Sequence, residues 1–214
     1  MPPHARDTGI SRRSWLLAGL ALPLFPARAA NELSVVYESD PVRGDILRPV
    51  VQNLHFLTGK PLDRLKDAEN VAFDSRLSLF TIDQSVPIQQ AIGRFVVSYD
   101  IWEQKFKVTI PGPAPRSREN LTAAQAETWC LDNLFIKASG LTADRPFFLR
   151  MELRTEQRGE LSSVLADPGI SLVRAAVELW GRKARPDEPH WGPFESGRLR
   201  LSDLVRMPGR GTHG

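Results

Sequence analysis

Residues 147–156 read Phe-Phe-Leu-Arg-Met-Glu-Leu-Arg-Thr-Glu. Phe147, Leu149, Met151 and Leu153 fall on one side of a period of two, and Arg150, Glu152, Arg154 and Glu156 on the other. A strand sends alternate side chains to opposite faces, so this spacing predicts a strand with one buried and one solvated face, the mark of an antiparallel sheet. The same alternation recurs upstream. In residues 93–102, Phe95, Val97, Tyr99 and Ile101 share a face; in residues 105–110, Phe106, Val108 and Ile110 oppose Lys105, Lys107 and Thr109. The short polar connection between them predicts a hairpin. Residues 71–82 predict a third long strand, with Val71, Phe73, Leu77 and Leu79 on one face.

The flanking segments complete the plan. Residues 33–38 predict a first strand, followed by the turn residues Asp40-Pro41-Val42-Arg43-Gly44-Asp45. Pro49 cannot donate to a ladder, so residues 50–57 are expected as an edge strand, with one or two helical turns over 62–69. Pro111-Gly112-Pro113-Ala114-Pro115 is expected to end the sheet. Thr122 and Gln125 have the spacing of a reciprocal helix cap, and Ala126, Trp129 and Cys130 share the face of the helix that follows. A second helix is expected from Asp167, with Pro168 in its first position, Val173, Ala176, Val177 and Trp180 as its apolar stripe, and Gly181 at its end. Residues 184–197 read as a loop, 198–205 as a short strand and 207–214 as a disordered tail. Consecutive strands with a few inserted helices differ from regular β-α alternation. The expected fold is a β-rich α+β domain over residues 30–206: an antiparallel sheet or β-sandwich with two or three packed helices.

The N-terminus has a different character. Arg12 and Arg13 precede an apolar run from Trp15 to Phe25, which is followed by Pro26-Ala27-Arg28-Ala29. Small residues three and one before a cut between Ala29 and Ala30 fit a signal peptide over residues 1–29. The run is too short to span a bilayer as a helix, which needs about 20 residues. Ser11-Arg12-Arg13-Ser14-Trp15-Leu16 resembles the bacterial twin-arginine export motif, with Trp15 where phenylalanine is usual and Leu17 where lysine is common. That resemblance implies passage across the inner membrane in the folded state, and a periplasmic or secreted product. Residues 95–108 and 146–154 resemble segments of exported bacterial proteins of uncharacterised domain families, which implies no particular activity.

Charge and cysteine content narrow the function classes. The chain of 214 residues carries 28 basic and 25 acidic residues. The first 29 residues hold Arg6, Arg12, Arg13, Arg28 and one acid, Asp7, so 28 less four and 25 less one leave 24 of each sign. A neutral mature domain has no global field to draw it to nucleic acid or anionic lipid. Cys130 is the single cysteine, which excludes an internal disulfide, a cysteine zinc site and a lipid-anchored N-terminus. The serine-hydrolase elbow, the phosphate-binding loop and the dinucleotide fingerprint are all missing from the sequence. No metal or other cofactor is expected.

Three features remain as candidate sites. Cys130, beside Trp129 on an apolar helix face, reads first as a buried inert thiol. Asp100 and Glu103 flank Trp102 at the hairpin tip; two carboxylates there can act as an acid/base pair, or simply solvate the tip and discourage edge pairing. His190, Trp191 and Phe194 lie on the segment stiffened by Pro186, Pro189 and Pro193. They are expected to contact an envelope protein partner, the alternative being an aromatic lid folded back on the sheet. The leading expectation is an exported, non-enzymatic binding or assembly protein. An exported hydrolase using Asp100 and Glu103, and a β-sandwich with a ligand pocket among its inward Phe, Leu and Met residues, are the alternatives.

Overall fold

The computed structural model describes residues 32–156, Trp180 and residues 188–209. The export motif at Arg12 and Arg13, the cleavage site at Ala29 and Ala30, and the helix expected from Asp167 (apart from Trp180) lie outside the described residues.

The described residues form two sheets. Strands β1 (Leu33–Asp40), β2 (Gly44–Val51), β7 (Ile136–Lys137) and β10 (Arg206–Pro208) make the smaller sheet, in the order β10-β1-β2-β7. Strands β3 (Val71–Thr81), β4 (Gln89–Asp100), β5 (Lys105–Ile110), β6 (Arg116–Leu121), β8 (Phe147–Thr155) and β9 (His190–Glu195) make the larger, in the order β6-β5-β4-β3-β8-β9. Pairing is antiparallel throughout except for β10, which runs parallel to β1. Among the described residues the helices α1 (Gly59–Lys66) and α2 (Ala123–Asp132) complete a β-rich α+β fold.

Register explains which residues reach the core. Phe73 pairs with Phe95 on one side and Thr155 on the other, and Leu77 pairs with Met151. The inward row of the larger sheet therefore runs through Val71, Phe73, Leu77, Val97, Val108, Leu149 and Met151, all fully or almost fully buried. These are the alternating positions that the sequence predicts. The opposite face is charged but ordered. Arg94 grips Asp74 with two hydrogen bonds of 2.8 Å, and Arg76 meets Glu152 at 2.6 Å. The indole of Trp180 lies 4.4 Å from the guanidinium of Arg76 and 4.3 Å from that of Arg154. Stacking of this kind lets arginines pack without losing their charge.

Five expectations are corrected. The Pro-rich stretch after Ile110 does not end the sheet; the chain turns and adds β6, whose first five residues are exposed and carry no apolar alternation. Pro49 sits inside β2 rather than before an edge strand at 50–57. β7 covers β2 only at Ile46 and Leu47, which leaves an open edge where proline is tolerated. β4 stops at Asp100, so Ile101 is exposed in the turn rather than inward. The predicted strand at 198–205 is a bridge from Leu199 to Phe147 followed by a 3-10 turn, Leu201–Asp203. Arg206–Pro208, placed partly in a disordered tail, pairs with Tyr37, Glu38 and Ser39 as β10, and the Gly209 N–H donates to the Ser39 carbonyl.

Candidate functional site

The segment expected as a partner-binding loop is instead edge strand β9, antiparallel to β8. It is broken by an irregularity in register between Met151 and Leu153. That bulge puts both Trp191 and Phe194 on the inward side. Phe194 opposite Met151 is buried, and the half-buried Trp191 packs its ring against Phe56 and Phe73, with centroids 6.1 Å apart in both cases. His190 is exposed and its Nδ1 lies 3.1 Å from the Glu188 carbonyl. The two aromatics are thus seated in the core, as the lid alternative requires, and His190 alone of the three faces outward. The prolines mislead because an edge strand tolerates them as readily as a loop does.

The β4–β5 hairpin tip has the opposite character. Oδ1 of Asp100 accepts hydrogen bonds from the N–H groups of Trp102 at 2.8 Å and Glu103 at 3.0 Å. This is an aspartate fixing its own turn. Gln104 adopts a left-handed conformation, φ 54°, to close the turn. The result is a defined tip on which Trp102 is 93% exposed and Ile101 54% exposed. Beside it lies an open recess of about 510 Å3, lined among others by Tyr99, Asp100, Glu103, Lys105, Lys107 and Glu119. The two carboxylates therefore share a recess, with one oxygen of Asp100 committed to the backbone. Lys107 pairs with Glu119 across the β5–β6 ladder at 2.6 Å.

A second recess, about 290 Å3, runs between the β6 edge and α2. Its floor and walls include Leu121, Ala124, Thr128 and Trp129, with Arg118 at its lip. α2 is held in place at both ends. Thr122 and Gln125 form the predicted reciprocal cap, at 3.3 and 2.9 Å. Asp132 at the other end meets Arg48 at 2.5 Å, and Arg48 also pairs with the buried Glu38. Between the ends, Glu127 is almost fully buried. One of its oxygens accepts the N–H groups of Phe56 and Leu57 at 2.7 and 2.8 Å, and the other lies 3.1 Å from Nδ1 of His55. Glu127 thus ties the segment leading into α1 to α2. Burial, with a smaller contribution from Glu127, pushes the Cys130 thiol far above its ordinary range, so it stays protonated.

No group of three or more metal-ligating side chains is found among the described residues. No described helix is long and apolar enough to cross a membrane. No protein-family model, curated protein or solved structure matches the chain.

Sequence reasoning passed over Trp102 and Arg118. The signal for Trp102 is its place between two acids, just beyond the last residue of an alternating strand. The signal for Arg118 is weaker, because the Arg-Ser-Arg-Glu-Asn run of β6 has no apolar period.

Proposed function

We propose that the chain is a non-enzymatic binding or assembly protein of the bacterial envelope. In this reading it is exported by its twin-arginine segment, acts in the periplasm or outside the cell, and holds an envelope protein partner at the β4–β5 hairpin tip. The observation that carries the reading is Trp102, 93% exposed on a turn whose backbone is fixed by Asp100. A large exposed aromatic costs solubility, and tryptophan on a preordered support is the side chain most often found to dominate interface energies. Trp191 and Phe194 are not free for the contact, because their rings pack into the core.

The hydrolase alternative has less support. A general acid or base needs its carboxyl free to exchange a proton with substrate, whereas Oδ1 of Asp100 already accepts two backbone N–H groups. The ligand-pocket alternative needs space among the inward Phe, Leu and Met positions, and Phe147, Leu149 and Met151 are each 0% exposed in close packing.

Co-purification from envelope fractions tests the binding reading. The full chain is expected to retain a partner that Ile101→Ser with Trp102→Ser loses at unchanged melting temperature. Equal recovery with both forms would move the interface elsewhere. Export is tested separately: Arg12→Lys with Arg13→Lys should leave the chain unprocessed, and undiminished processing would remove the twin-arginine route.

A further inference from the structure

We propose that β6 and the adjoining face of α2 form a strand-addition groove for an extended acidic segment of the protein partner. The inference rests on the binding reading above and supplies the chemistry of what is bound. Among the described residues β6 is the last strand of its sheet; Arg116 to Asn120 are all exposed, and over the regularly paired residues 116–118, ahead of the register shift, the backbone groups that do not face β5 point to solvent. Antiparallel register sets Arg116 opposite Ile110 and Arg118 opposite Val108. Both arginines therefore stand on the same side of the sheet as the core row, and Arg118 lines the recess beside α2. A strand added to β6 would send every second side chain into that recess, against Leu121, Ala124 and Trp129.

Charge selects the occupant. Among the described residues Arg116 and Arg118 have no ion-pair partner, whereas the nearby acids are already matched, Glu119 by Lys107 and Asp132 by Arg48. With the Asp132 of its wall matched by Arg48, the groove keeps the cation of Arg118 at its lip beside the apolar Leu121, Ala124 and Trp129, the complement of a segment that alternates acidic and aliphatic residues. A second copy of β6 is a poor occupant. Antiparallel pairing centred on Arg118 would set Arg118 against itself, and like charges directly opposite destabilise a ladder.

The test uses the processed full chain and two capped peptides, one alternating glutamate with valine and one alternating lysine with valine. Titration of the glutamate peptide is expected to shift the amide resonances of Arg116–Leu121 and slow their hydrogen exchange. Arg116→Glu with Arg118→Glu should weaken its binding by about tenfold or more and create affinity for the lysine peptide. Thr128→Trp, which fills the groove from the exposed side of α2 without changing charge, should weaken the glutamate peptide as well. Equal binding of both peptides, shifts outside β6 and α2, or protection of β6 by self-association without peptide would each overturn the inference. A glutamate peptide that does not bind, while the hairpin tip still captures a partner, overturns strand addition alone. A chain that captures no partner overturns the binding reading beneath it.

Discussion

The ring of Trp191 meets that of Phe56 nearly edge-on, at an interplanar angle of 66° and 6.1 Å between centroids. Edge strand β9 is thereby fastened to the segment that leads into α1, and Phe73 of the central strand closes the cluster. Trp191→Ala with Phe194→Ala should therefore lower the melting temperature. Truncating a buried aromatic such as Phe194 costs about 3–5 kcal/mol. A double variant as stable as the parent chain would show that β9 does not contribute to the core.

Neighbouring residues on β8 should behave oppositely. Met151 is 0% exposed on the inward face, whereas Arg150 lies outward, paired with Glu195 at 2.6 Å and stacked over Phe80. Met151→Asp buries an unpaired carboxylate, a cost on the order of the 5–15 kcal/mol that a whole domain has to spare, and should unfold the chain. Arg150→Asp loses an exposed ion pair and the stack on Phe80 and sets a like charge opposite Glu195, each worth about 1 kcal/mol or less, so the chain should stay folded. Denaturant midpoints for the two variants check this, and equal losses would reverse the assignment of faces.

The junction of β10 with β1 and β2 is tied by a carboxylate. Asp45 accepts from Arg206 at 2.5 Å and from the Tyr37 hydroxyl at 3.0 Å, and these bonds, that from Arg206 foremost, hold its pKa below the ordinary aspartate value. A carboxyl with a lowered folded pKa stabilises the fold above its unfolded pKa, and that contribution is lost as pH falls through the folded value. The β10 contact should accordingly weaken only below the usual carboxylate range. Carboxyl titration by NMR should find Asp45 low in the parent chain and shifted upward in Arg206→Gln. An unchanged Asp45 would mean that Arg206, and with it β10, is not docked in solution.

What the sequence made legible follows from burial. Where one face of a strand is buried and the other is wet, as in β8 and β5, alternation names the inward residues directly. The Thr122–Gln125 cap was equally readable because it is a local hydrogen-bond pattern. Edge strands were harder. β6 is exposed on both faces and so has no period, and β9 is bent by a bulge that brings residues three apart to one side. The site contacts were the least legible. Glu127 reaches Phe56 across 71 positions, and Arg48 reaches Asp132 across 84, separations at which no local pattern survives.

In the binding reading proposed above, the partner is held at the hairpin tip. A photo-cross-linking residue at position 102, introduced into the full chain in intact cells, provides the test. Position 42 serves as the control, since Val42 is 89% exposed on a different turn. A discrete adduct with one envelope protein from position 102 and none from position 42 is the predicted result. Adducts of equal yield from both positions, or none from position 102, would contradict it.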